Sequence, residues 1–266
     1  MKKLRKAFII ISMMASMFIF SGCSLGGNDD FAYMADRTIM KVSIQSTRDD
    51  SYKFIVTDKD VINDIYSILS KAMVVEEKSS LDPDYVVEIY ESPTEVKTFN
   101  YVAGLDKKDG GNFYDGDSYY IVSKRLDNDI IKNFTNIRKP INFDDMYYNM
   151  ILRVLDMYES QNKNSEKIGI VAFKDKMALK FQLSTEIEKF KVNLKKSAQL
   201  LKDDSELESC NVIMNIETQG YTSKKYKSIV TFTNKVDNSS VEYYVVNEYK
   251  QGEWIVNITT DKPENF

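Results

Sequence analysis

The chain has 266 residues, 43% of them apolar, with four prolines, two cysteines and no histidine. That apolar content is ordinary for a folded chain and too high for a disordered one, and the length suits one large or two small domains. The missing histidine excludes Ser-His-Asp and Cys-His catalysis, histidine general bases and histidine-ligated zinc, and a formal charge of -4 opposes a nucleic-acid partner.

Lys2, Lys3, Arg5 and Lys6 precede an apolar run from Ala7 to Phe20, and Ser21-Gly22-Cys23 follows. Basic residues, an apolar segment and then small residues is the order of a secretory signal peptide. The run has 14 residues. At about 1.5 Å rise per residue it falls short of a roughly 30 Å hydrocarbon core, so a retained span is not expected. The residues before Cys23 resemble the lipobox of bacterial lipoproteins, which implies that the Cys23 sulfur is diacylated and the bond before it is cut. Residues 1–22 are then a signal peptide and 23–37 a lipidated flexible tether, its start polar and carrying Gly26 and Gly27. The expected place is the outer face of the cytoplasmic membrane, held by acyl chains at about 0.8 kcal/mol per buried methylene. Losing the four basic leader residues takes the formal charge from -4 to -8.

Beyond the tether, Ile39 to Ser46 and Tyr52 to Thr57 read as two strands joined by a polar turn. Asp58 opens a helix in which Val61, Ile62, Ile65, Ile68, Leu69 and Ala72 recur at helical spacing. Tyr85 to Tyr90 and Val96 to Val102 form a hairpin around Ser92-Pro93-Thr94, and Tyr119 to Val122 is a further strand. Ser123 can cap a second helix with Leu126, Ile130, Ile131 and Phe134 on one face. The order is β-β-α-β-β-β-α.

The Ile-rich opening strand, the helix after Thr57-Asp58, the phrase Pro83-Asp84-Tyr85-Val86-Val87-Glu88-Ile89 and the late Tyr119-Tyr120-Ile121-Val122 together resemble the YhfM-like domain of Gram-positive lipoproteins. The resemblance covers residues 38–139 and implies no active residues.

Pro140 marks the next boundary, so that residues 140–266 form a second domain. Asn142, with Asp145 three residues on, is expected to cap a helix whose stripe is Phe143, Met146, Tyr147, Met150, Ile151, Val154, Leu155 and Tyr158. From Ile168 to Leu183 both the strand and the helix period fit, and helix is favoured. Ser184 opens a helix through Ile187, Phe190, Leu194, Ala198 and Leu201. Four strands follow, around Val212, from Tyr226 to Thr233, from Val241 to Tyr249 and around Trp254. Helices followed by such a meander resemble cystatin-like and nuclear-transport-factor-2-like domains of extracytoplasmic lipoproteins. The fold class expected is α+β, two small domains, each an antiparallel sheet packed with helices.

Candidate sites are few. The segment Asp106 to Asp117 is rich in oxygen ligands and glycine, but its spacing fails the EF-hand template and Lys107 and Lys108 oppose a cation, so a solvated hairpin loop is the better reading. Acid pairs Glu76-Glu77, Asp144-Asp145, Asp203-Asp204 and Glu206/Glu208 sit where helix ends and wet faces put acids anyway. Lys189, Lys191, Lys195, Lys196 and Lys202 read as the wet face of a helix, with anionic lipid or wall polymer as the alternative contact. Cys210 reads as a small buried hydrophobe, an intermolecular disulfide being the alternative. Lipid attachment at Cys23 is the one site assigned, and no catalytic residue, metal or cofactor is expected. The function expected is non-enzymatic: a membrane-anchored binding or interaction module whose partner is an envelope protein or wall polymer. A carboxylate-dependent envelope hydrolase is the alternative.

Overall fold

The computed structural model describes residues 28–35, 38–105, 107–135, 139–162, 167–264 and 266. The signal peptide, Cys23 and the first part of the tether lie outside the described residues. Residues 28–35 of the expected tether are packed rather than free. Asp29–Met34 is a 3-10 helix whose N-cap Asn28 accepts from the Asp30 amide, and it buries Phe31 and Met34 in the core. Phe31 has no exposed surface and lies edge-on to Tyr120 at 5.0 Å. Burial of one such ring is worth about 1.5–3 kcal/mol, which no solvated tether supplies.

The first sheet collects β1 (Lys41–Ser46), β2 (Lys53–Val56), β3 (Met73–Val75), β4 (Tyr85–Tyr90), β5 (Val96–Tyr101), β6 (Phe113–Tyr114) and β7 (Tyr119–Ile121). Its order is β2-β1-β4-β5-β6-β7-β3, antiparallel throughout. Val87 sits between Ile44 and Phe99, and Ile89 opposes Val42, so alternate residues build one buried face. Helix α1 (Lys59–Leu69) covers that face with Ile62, Ile65 and Leu69, and Asp58 caps it by accepting from the amides of Asp60 and Val61. Leu126–Ile131 forms a π-helical turn that continues into α2 (Lys132–Thr135) and adds Leu126, Ile130 and Ile131 to the same core. Strands β3 and β6 were not among the expected elements. Their three and two residues are too short for alternation to show, and the 106–117 segment is accordingly only partly a wet loop. Asn112, Phe113 and Tyr114 within it are buried, and the Asn112 amide donates to and accepts from the Val122 backbone.

The second half is built on α3 (Phe143–Gln161), whose expected stripe is buried at every position. Its first residue is preceded by a different device from the one expected. Asn142 adopts φ 46, ψ 58 and makes no side-chain cap; only its carbonyl receives Met146 N–H. Asn is among the residues that tolerate this left-handed turn, which swings the chain from Pro140 into the helix. Next come β8 (Ile168–Val171), α4 (Lys176–Leu179), α5 (Ser184–Asn193), β9 (Ala198–Leu200), a 3-10 turn over Asp204–Ser209, β10 (Val212–Tyr221), β11 (Lys225–Asn234), β12 (Ser240–Lys250) and β13 (Glu253–Thr259).

Two expectations are corrected here. The favoured helix over 168–183 is instead strand β8 followed by short α4, and the helix opening at Ser184 stops at Asn193, leaving Ala198 in a strand. The sheet order is β13-β12-β11-β10-β8-β9, with β8 parallel to both β10 and β9. A parallel strand buried on both faces reads as an unbroken apolar run, so Ile168 to Val171 carries no alternation to distinguish it from a helix. Gly169 has a reason of its own: a Cβ there would stand 2.8 Å from Leu201 Cδ1 and 2.9 Å from Cys210 Sγ. The fold is thus α+β, two sheets packed with helices, the second sheet mixed rather than purely antiparallel. Among the described residues no helix is long and apolar enough to cross a membrane.

Candidate functional site

Residues 79–84 precede β4, and Ser184 begins α5 about a hundred positions later; the fold brings them together. Asp84 is the hinge pin of that contact, its side chain only 1% exposed. One carboxylate oxygen accepts from Arg48 Nη1 at 2.6 Å and from the Ser184 amide at 2.7 Å, while the other accepts from the Ala103 amide at 2.8 Å. Arg48 Nη2 donates to Ser184 Oγ at 2.5 Å, and that hydroxyl donates to the Asp82 carbonyl at 2.7 Å. Ser184 is therefore the first residue of its helix without capping it, the N-cap position falling to Leu183. Its hydroxyl is committed to the other half of the molecule. Burial pushes the Asp84 carboxyl up, and the Arg48 guanidinium with the two amides pulls it down.

Asp127 repeats the device one residue further on. It accepts from Tyr101 Oη at 2.6 Å and from the Gly104 amide at 2.8 Å. The two acids thus hold consecutive amides of the turn after β5, which needs φ +70 at Gly104 and passes close to Thr185. In the second half Asp175 does the same work. It accepts from Tyr147 Oη, Thr218 Oγ1 and the Thr218 amide, pinning α3 to the bulge of β10 between Thr218 and Gly220. These three buried acids were not singled out from the sequence.

Beside the Asp84 clamp, the two halves leave a cleft of about 490 Å³. From the first half come Arg48, Ser80, Leu81 and Asp82; from the second come the exits of β8 and β9, at Ala172-Phe173 and Leu200-Leu201-Lys202. The first turns of α5 and the α4 side complete it with Ile187, Glu188, Lys191, Leu179 and Gln182. A second hollow of about 580 Å³ shares Ser80, Leu81 and Glu188 with it and extends past Gly104 and Thr185 towards Lys124. Gln182 is 6% exposed, and its amide nitrogen is buried without an acceptor.

Also on α5, a carboxylate is only half satisfied, the Leu183 backbone supporting its charged form through one hydrogen bond. Glu186 has one oxygen buried without a partner, as does the hydroxyl of Tyr148. Burial raises the Glu186 carboxyl to about 7; Lys139 works against that shift, and Asp144 and Asp84 add to it. Lys139 is in turn pushed down, chiefly by its own burial.

The acids noted in the sequence do not meet in either hollow as a pair. Glu76, Glu77 and Asp145 are exposed. Asp203 caps the 3-10 turn, Asp204 pairs with Lys174, Glu206 accepts from the Lys202 amide at 2.9 Å, and Glu208 lies 3.5 Å from Lys235. In the 106–117 segment Asp115 accepts from the amides of Asp117 and Ser118. Among the described residues no three metal-binding side chains come together. The lysine set is scattered: Lys189 and Lys191 are on α5, Lys195 pairs with Asp156 and Glu159, and Lys202 follows β9. Cys210 is 3% exposed, packed with Val171, Leu201 and Ile213 as a small hydrophobe, and it is a free thiol.

A seven-stranded antiparallel sheet with a helix across one face and a π-turn at its end defines the first half as an α+β domain. The family model described as YhfM protein matches residues 35–140, which contain every strand of that sheet, so this stretch is a YhfM-like domain. No curated protein and no solved structure matches the chain. The matched stretch contributes Arg48, Ser80, Leu81 and Asp82 to the cleft, and every other lining residue lies beyond it.

Proposed function

We propose that this protein is a lipid-anchored extracytoplasmic binding module, held at the outer face of the cytoplasmic membrane through Cys23, which engages an envelope protein or wall polymer without chemistry. The observation that carries the reading is the cleft between the YhfM-like half and the second half, clamped by Asp84 and left open along Ser80 to Asp82. Its volume lies within the roughly 300–1,000 Å³ of small-ligand sites. The occupation of Asp84, Asp127 and Asp175 by hydrogen bonds supports a binding rather than a hydrolytic role, because a carboxylate that accepts from several fixed donors is not free to move a proton. The long helix α3 on the β10 to β13 meander supports the cystatin-like comparison, with the parallel strands β8 and β9 as an addition.

Two measurements test this. Cys23→Ala is expected to leave the membrane fraction and escape the cell; unchanged retention overturns the anchor. A photo-crosslinker at exposed Ser80 is expected to give, in intact cells, a discrete adduct that the same group at exposed Asp237 does not give. Recovery of lipid alone from Ser80 overturns the binding role of the cleft.

A further inference from the structure

Strands β8 and β9 run parallel, and the chain leaves both at the same end. Where parallel neighbours end, the outgoing segments turn aside and open a crevice, which is the usual ligand position in open sheets with parallel strands. Here the exits are Ala172-Phe173 and Leu201-Lys202, and they line the 490 Å³ cleft. Among the described residues strand β9 is the last in its sheet, and its outer backbone edge carries no neighbouring strand.

The floor is apolar: Phe173, Leu179, Ile187 and Leu200. Within it Gln182 is nine-tenths buried, and its amide nitrogen has no acceptor. A buried donor left without an acceptor is costly, so its retention at a cleft wall fits an acceptor that arrives with a ligand. The charges narrow the choice. Arg48 is already neutralised by Asp84, and Lys191 by Glu188 at 2.6 Å, which leaves Lys202 facing a rim that also carries Asp82. A rim balanced in this way gives a phosphorylated or polyanionic ligand little surplus attraction.

Resting on the reading of this cleft as the binding face, we infer that it takes a short extended peptide carrying an aliphatic side chain. The peptide lies along the β9 edge, as an added strand does. Its side chain covers Phe173 and Leu200, and one of its carbonyls accepts from Gln182.

The test uses the full-length protein in detergent micelles with two probes, N-acetylated and C-amidated Ala-Leu-Ala and Ala-Asp-Ala. Calorimetry is expected to show saturable binding of the leucine peptide at millimolar concentrations or below, with at least tenfold weaker binding of the aspartate peptide. Hydrogen exchange is expected to slow in 79–82, 184–191 and 200–202 when the leucine peptide is bound. Gln182→Leu, which keeps the bulk and removes the donor, is expected to weaken binding about tenfold, the effect of one lost hydrogen bond. Should that variant fail to fold, Ser80→Trp at the exposed mouth is expected to abolish binding with an unchanged unfolding midpoint. Equal binding of both peptides, no protection in the three segments, or full affinity after Ser80→Trp overturns the inference. A Ser80 crosslink in cells with no peptide binding would remove the ligand class and leave the binding module standing.

Discussion

Asp84 and Glu186 are carboxylates at the same seam, the first bonded directly to the Ser184 amide and the second two residues after Ser184 in sequence, and they have opposite fates. Asp84 receives a guanidinium and two amides within 2.8 Å. Glu186 keeps a buried oxygen with no partner and a proton affinity raised to about 7. The contrast separates where the molecule is committed from where it is responsive. A satisfied buried charge joins two halves in one geometry, whereas an unsatisfied one leaves free energy that protonation or a ligand can recover.

The largest effect should come from breaking the satisfied side. Asp84→Ala strands Arg48 and the amides of Ala103 and Ser184, and is expected to cost about 3–5 kcal/mol in urea unfolding. A loss under about 1 kcal/mol would show that the clamp contributes little, in keeping with an exposed ion pair.

The next effect belongs to Glu186 and depends on pH. Its ordinary value of 4.5 rises to about 7 on folding, first because of burial, with Lys139 opposing and Asp144 and Asp84 reinforcing the shift. A group whose folded value is raised contributes stability that is fully present below pH 4.5 and is lost as pH rises through about 7. Glu186→Gln carries no charge to penalise, so it is expected to be more stable than the parent by about 3 kcal/mol at alkaline pH, the gap closing towards acid pH. A parallel pair of melting curves against pH, with no convergence, would place the shift elsewhere.

The smallest effect is the most diagnostic of an unsatisfied site. Tyr148 stacks on Phe190 at 4.8 Å, and its hydroxyl is buried without a partner. Tyr148→Phe keeps the stack and removes the stranded group, so thermal unfolding is expected to show no loss, with a gain of up to about 1 kcal/mol. Destabilisation would mean that the hydroxyl is held by a partner in solution.

Much of the scaffold was legible because burial imposes a period on the chain. The stripe from Phe143 to Tyr158 and the alternation in Tyr85 to Tyr90 follow from one-sided burial, and Asp58 advertises its helix by local chemistry. What was misread lacks such a record. Ile168 to Val171 is buried on both faces, Asn142 acts through its backbone, and Ser184 spends a cap-like hydroxyl on a distant carbonyl. Residues 31–35 follow a polar run that ends at Asp30, and the two that matter, Phe31 and Met34, are too few to make a pattern.

Residue types and their spacing carry the α+β class, the first-half pattern that resembles the YhfM-like domain, the exclusion of histidine chemistry, and an acidic body behind an expected anchor at Cys23. The seam arises from long-range packing alone. Arg48, Asp84, Gln182 and Glu186 acquire their roles from neighbours up to 136 positions away, and periodicity records only whether a face is buried, never which distant group it meets.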